Sequence, residues 1–130
     1  MTGSSLPLVV VDAANVVGST PDGWWRDRHG ATERLRDRLS GLAASGLGEI
    51  PGPVEVVMVV EGQARTVVSS PTVTTVSAPG SGDDRIVEVV AEHDGRRCVV
   101  VTADRELRRR VAALGADVLG PSTLAAARRR

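Results

Sequence analysis

The chain has no lysine, no phenylalanine and no tyrosine, a single cysteine and two tryptophans. Without lysine there is no phosphate loop of the Walker-A type, whose lysine reaches the β- and γ-phosphates. Schiff-base catalysis on lysine is excluded for the same reason, and a two-component receiver domain would lack its lysine. Cys98 alone cannot form an internal disulfide, which fits a reducing, cytoplasmic compartment. With so few aromatic rings the core must be aliphatic. All 16 basic groups are arginine and 16 acidic groups balance them, so the net charge is zero. A neutral chain is not a strong non-specific binder of nucleic acid, because that affinity comes from net positive contacts to phosphate. A local arginine patch acting on a transient substrate stays compatible with it. The N-terminus lacks a basic region, and its apolar run of about five residues is too short for a signal peptide. Nothing approaches the roughly 20 apolar residues of a membrane span, so no membrane partner is expected.

What the chain does have is valine. Its 130 residues, 42% of them hydrophobic, suffice for one domain spanning 1–130. Runs at Leu6–Val11, Val54–Val60 and Arg97–Val101 read as buried parallel strands. Val73–Ser77 and Asp117–Leu119 read as shorter ones. Leu35, Leu39 and Leu42 recur at helical spacing between Ala31 and Ala44, and Gly46, Gly48, Pro51 and Gly52 end that helix. A second helix follows the Pro79-Gly80-Ser81-Gly82 turn, with Ile86, Val87, Val89 and Val90 apolar. A third runs from about Thr102, its expected N-cap, to Leu114, and Pro121–Arg130 reads as a terminal helix. The alternation of strand and helix predicts an α/β fold, a mostly parallel sheet with helices on both faces.

Acidic residues sit at the ends of these runs. Asp12 closes Leu8-Val9-Val10-Val11, Glu61 closes Val56–Val60, and Asp104 follows Val99-Val100-Val101 by two residues. Asp83 and Asp84 stand in the first turn of the second helix, where acidic groups suit the dipole. In an open α/β sheet the carboxyl ends of the strands form the ligand crevice. Acids far apart in sequence would converge there, and a divalent cation is the commonest reason for like charges to gather. Taken singly, each segment has a plainer reading. Asp12 and Asn15 are turn formers, Asp83 a helix cap, Thr102 a cap and Asp104 a dipole partner. Asn15 could orient Asp12 or a water. Asp84 and Glu88, four apart, share a helix face.

Together the segments resemble a family. The order Val-Val-Asp12-Ala-Ala-Asn15-Val-Val-Gly18, Val59-Val60-Glu61-Gly62, Gly82-Asp83-Asp84-Arg-Ile-Val-Glu88 and Val101-Thr102-Ala103-Asp104-Arg105-Glu106-Leu107 resembles the NYN domain. That domain belongs to the PIN-like superfamily of metal-dependent ribonucleases, and the small bacterial YacP-like branch is the most similar. The resemblance runs from about Leu6 to Leu124. It implies a three-layer α/β/α sandwich around a mostly parallel sheet. It also implies an endoribonuclease that hydrolyses RNA phosphodiester bonds with Mg²⁺ or Mn²⁺. The catalytic, metal-binding acids would be Asp12, Asp84 and Asp104, with Asn15 and Thr102 matching the amide and hydroxyl of the motifs. Glu61 stands where many relatives carry Asp, and its longer side chain suggests a water-mediated ligand. Asp83 is an extra acid. Oxygen-only ligands suit hard cations and disfavour zinc. One ion would acidify a water and neutralise phosphate charge, and a second, about 3.5–4 Å away, would clamp the leaving oxygen. Arg65 and Arg105 are the expected phosphate-binding arginines, and Arg108, Arg109 and Arg110 read as a solvated face. RNA is the expected partner, presented by a ribosome or another protein, and homodimer pairing is left open.

Two rival classes carry weight. One is a non-catalytic nucleic-acid- or protein-binding module on the same fold. The other is a metal-dependent phosphohydrolase acting on nucleotides. Its haloacid-dehalogenase form is disfavoured because Ala14 stands where a second Asp is wanted. His29 reads as a surface loop residue and His93 as a helix-end residue. Trp24 and Trp25 could stack on bases, anchor a partner or fold over the first helix, the last being preferred. The alternating charges after them read as a helix exterior, and Arg128 to Arg130 as a tail.

Overall fold

The computed structural model describes residues 6–20 and 23–124. Pro21, Asp22, the Arg128–Arg130 tail and most of the expected terminal helix lie outside the described residues, although residues 122–124 are helical. Chain order runs β1 (Leu8–Asp12), α1 (Ala13–Gly18), α2 (Arg28–Arg38), α3 (Leu42–Ser45), β2 (Gly46–Leu47), β3 (Ile50–Pro51) and β4 (Glu55–Val60). It continues with β5 (Thr74–Ser77), α4 (Gly82–Glu92), β6 (Cys98–Val101), α5 (Arg105–Ala112) and β7 (Asp117–Leu119).

Five strands pair in the order β5-β4-β1-β6-β7, all neighbours parallel. The central strand β1 is buried along its whole length, as a strand covered on both faces must be. Alternation divides its side chains between two cores. Val9 and Val11 face α1, α2 and α3 with Leu35, Leu39 and Met58. Leu8 and Val10 face α4 and α5 with Ile86, Val89 and Leu107. The expected α/β sandwich with a parallel sheet is therefore present, and its core is aliphatic. The chain steps from β1 outward to β4 and β5, then crosses back to β6 and β7. The direction of winding thus reverses beside β1, and a sheet of this kind opens its crevice at such a reversal.

Local readings differ in detail. The strand beginning at Leu6 starts at Leu8 and takes in Asp12, which pairs in register with Val59. Asp12 is followed directly by α1, so Ala13, Ala14 and Asn15 are its first turn and Asp12 its cap. The expected helix from Ala31 to Ala44 begins earlier, capped by Asp27 accepting from the Gly30 N–H at 2.9 Å. It then tightens to a 3₁₀ turn at Leu39–Gly41 before α3. Gly46 and Pro51 end that helix by forming the small β2–β3 hairpin, a two-stranded unit too short to show as a pattern. His29 belongs to α2, 3.6 Å from Glu33 one turn on. His93 caps the C-terminus of α4, its Nδ1 2.8 Å from the Val89 carbonyl. Arg96 clips the strand starts together, donating to the Leu6 carbonyl and to Glu55, each at 2.6 Å. Burial pushes the Cys98 thiol up, against the opposing pull of Arg96.

Leu35 is 1% exposed and joins α2 to the sheet. Leu35→Ala should lower unfolding free energy by about 2–5 kcal/mol in a denaturant titration. A loss under about 1 kcal/mol would mean that α2 does not carry this face of the core.

Candidate active site

The three central strands end side by side, and each ends on chemistry. β1 delivers Asp12, β4 leads to Glu61, and β6 leads to Thr102, Ala103 and Asp104. Asp12 is 4% exposed and Thr102 is fully buried. The Thr102 hydroxyl donates to Asp12 Oδ2 at 2.9 Å and accepts from the Asp104 N–H at 3.1 Å. The Asn15 N–H donates to Asp12 Oδ1 at 3.3 Å. The Asn15 side chain does something else: its Oδ1 accepts from the Ala103 N–H at 2.9 Å, tying the end of β6 to α1. Thr102 is not the cap of α5, as expected, because its hydroxyl is committed to Asp12. Asp104 takes that place, its Oδ1 accepting from the Leu107 N–H at 2.9 Å.

The fourth segment arrives from β5. Ser81, not Asp83, caps α4, accepting from the Asp84 N–H at 3.2 Å. The Gly82 N–H donates to Glu61 Oε1 at 2.6 Å. A Cβ there would stand 2.5 Å from that oxygen and push the Glu61 carboxylate off this hydrogen bond. Gly62, at φ +60°, then turns the chain away from β4.

With Ser81 as the cap, the two aspartates of α4 part company. Asp84 is exposed and pairs with Arg110 of α5 at 3.0 Å. Asp83 is half-buried and faces the other acids. Burial pushes its carboxyl up, helped by the charges of Asp104 and Glu61 and opposed by Arg110. Asp12 is pushed up to about 6, chiefly by burial, against the hydrogen bonds from Thr102 and Asn15, with Asp83 and Glu61 adding to the rise. Asp12, Asp104, Glu61 and Asp83 are thus brought together, while Asp84 and Glu88 point away, Glu88 pairing with Arg85 at 3.0 Å. None of those four has an ion-pair partner among the described residues.

The arginines also sort differently. Arg108 is not part of a solvated face: its Nε donates to the Thr102 carbonyl at 2.8 Å. Arg110 bridges α5 to α4, and Arg109 pairs with Glu106. Arg65 turns back on the Gly62 carbonyl at 3.1 Å, and Arg105 is exposed at the start of α5.

A hard divalent cation suits this donor set. All the donors are oxygens, and the negative charge is unbalanced. Among the described residues, no three Asp, Glu, His or Cys side chains are close enough to hold an ion between them. A cation bound here would therefore take one or two carboxylates directly and complete its shell with water, as Mg²⁺ commonly does.

No family model matches the chain, and no curated protein matches it in sequence. Solved structures do. The crystal structure of Rae1 (YacP) from Bacillus subtilis matches with a TM-score of 0.76 and 14% identity, over 94% of this chain and 73% of that one. A single-substitution mutant of that protein matches at 0.73 and 15%, over 95% and 76%. At such identity the likeness speaks for the fold, and the expected YacP-like architecture holds at that level.

A raised carboxyl makes the folded state bind a proton that the unfolded chain releases. Its contribution to stability is complete below 3.8 and is lost as pH rises through about 6. For Asp12 the loss is roughly 3 kcal/mol. With a chelator present, Asp12→Asn should remove this pH-dependent loss, so that the variant becomes the more stable protein at neutral pH. Parallel stability–pH curves for the two would show that Asp12 is not held this way.

Proposed function

We propose that this protein is a metal-dependent endoribonuclease that hydrolyses RNA phosphodiester bonds. The observation carrying the reading is the unpaired group of Asp12, Glu61, Asp83 and Asp104 at the sheet's crevice, with Asp12 buried and its carboxyl raised. The shared architecture with Rae1 (YacP) supports the same class at the level of fold.

One or two of Asp12, Asp83 and Asp104 would hold Mg²⁺ or Mn²⁺ directly, with the remaining acids and Glu61 reaching it through water. Asp83 replaces Asp84 in this set, because Asp84 is turned to Arg110. A cation so held neutralises phosphate charge and lowers the pKa of a water. The chain's own part is to fix the acids. Thr102 locks the Asp12 rotamer, Asn15 ties the two strand ends together, and Glu61 anchors the start of α4. Arg65 and Arg105, on the rim, would meet the phosphates of the strand. The RNA would be presented by a ribosome or another protein, since a neutral chain has little grip of its own. A cytoplasmic site of action agrees with this substrate, and among the described residues no helix is long and apolar enough to cross a membrane.

The rival is a binding module without catalysis, favoured by the absence of a ready three-acid cage among the described residues. Mn²⁺-dependent cleavage of single-stranded RNA decides between them. Asp12→Asn and Asp104→Asn should each lower the rate by more than about 100-fold while circular dichroism stays unchanged. Full activity in both variants would end the enzymatic reading.

Asp83→Asn and Asp84→Asn separate the two candidate ligands on α4. The first should impair Mn²⁺ binding by calorimetry, and the second should leave it near wild type. The reverse order would return Asp84 to the metal set.

A further inference from the structure

Beside the acids, on the α1–α2 side, lies a cleft of about 260 Å³. Ala13 and Ala14, which follow Asp12 directly, form one wall, and Glu61 and Gly62, which leave β4, form another. The remaining side carries Trp24 and Arg28. The two neighbouring indoles do different things. Trp24 is half-buried against the core. Trp25 is 59% exposed and meets Trp24 edge-on, their centroids 6.0 Å apart. The Arg28 guanidinium lies 5.1 Å from the Trp24 ring centroid and has no carboxylate partner among the described residues.

We propose that this cleft is a nucleobase subsite, taking one base of a single-stranded RNA against Trp24 and Arg28 while the adjoining phosphate lies at the acids. The choice of a strand rather than a free nucleotide rests on the ribonuclease reading. Three features support a base. The volume is below the 300–1,000 Å³ typical of drug-sized ligands and suits a single flat ring system. The walls nearest the acids are alanine and glycine, which leave a slot rather than a filled surface. The polar wall is an indole with a guanidinium plane, the pair of surfaces on which unstacked RNA bases are held. A duplex cannot present a base this way, so the substrate would be single-stranded.

The test uses Trp25→Phe, which leaves Trp24 as the sole indole. Its emission is followed during titration with a short oligouridylate and with an abasic ribose-phosphate strand of equal length, both in chelator. The strands carry the same phosphates, so their difference reports the base. The oligouridylate should quench saturably and bind about 10-fold or more tightly than the abasic strand. Adding Ala14→Phe, which fills the slot without removing a side chain, should abolish the quench. Arg28→Ala serves if that variant does not fold, and should weaken the quench. Equal affinity for the two strands, or an unchanged quench in the blocked variant, would overturn the proposal. Cleavage is not involved in these titrations. A base-dependent quench in a protein that cuts no RNA would sink the ribonuclease reading and leave the subsite standing; active cleavage without the quench would do the opposite.

Discussion

A carboxylate buried at the end of the central strand is the constraint around which this molecule is organised. Asp12 cannot reach bulk water, so its charge is costly unless neighbours offset it. The neighbours that do so come from the start of α1 and the end of β6, while Glu61 and Asp83 add to the cost. Thr102 hydrogen-bonds one oxygen and the start of α1 the other, while Arg108 holds the Thr102 carbonyl in place. These bonds lower the cost without cancelling it, since burial still outweighs them. Cation pairs are spent elsewhere: Arg110 goes to Asp84, Arg85 to Glu88, Arg96 to Glu55. A fold selected only for stability would place one of those arginines at Asp12. Among the described residues none stands there, and the proposed cation would supply the missing charge.

The valine runs made most of the fold legible, because a doubly covered parallel strand leaves a continuous apolar stretch. Three such stretches became the central strands β1, β4 and β6, and the two shorter ones became the edge strands β5 and β7. What stayed hidden was short or carried by single hydrogen bonds. The β2–β3 hairpin has two residues a side, below the length at which alternation can register. The start of α2 depends on Asp27 as cap, and the charged residues after it mask the periodicity. Trp24 and Trp25 read alike in sequence, yet only Trp24 reaches the core, because consecutive residues of the 3₁₀ turn Trp24–Arg26 point to different sides.

The site was legible as a set and not in its details. Asp12, Glu61, Thr102 and Asp104 stand where strand ends predict. On α4 it is Asp83 that faces the other acids and Asp84 that turns to Arg110, and the signal for this was present in the apolar spacing. Gly82, Ile86, Val89 and Val90 are the buried residues of α4. Asp83 lies three residues before Ile86 and seven before Val90, on the flank of that face, whereas Asp84 falls with Glu88 on the outer one. Reading the pair as a first turn obscured this, because a dipole argument treats both positions alike. The capping roles of Ser81 and Asp104 could not be told from those of Asp83 and Thr102 by residue type. Which hydroxyl or carboxylate caps a helix depends on what else competes for it, and Thr102 is claimed by a residue 90 positions away.

The charge balance of the site explains why a neutral chain would suit a nuclease at all. Four acids without ion-pair partners would repel a phosphate strand at short range. Arg28, Arg65 and Arg105, which have no carboxylate partner among the described residues, lie beside those acids and not among them. A divalent cation reverses the sign at the centre and leaves the rim positive, so cation and strand would each favour the other's binding. Such mutual assistance is a coupling free energy, and it is reciprocal. A strongly basic surface would weaken that dependence by holding RNA whether or not the centre were loaded. Zero net charge with a divided local field would make engagement tighter once the cation is bound, and the absence of lysine leaves the phosphate contacts to a small number of guanidinium groups.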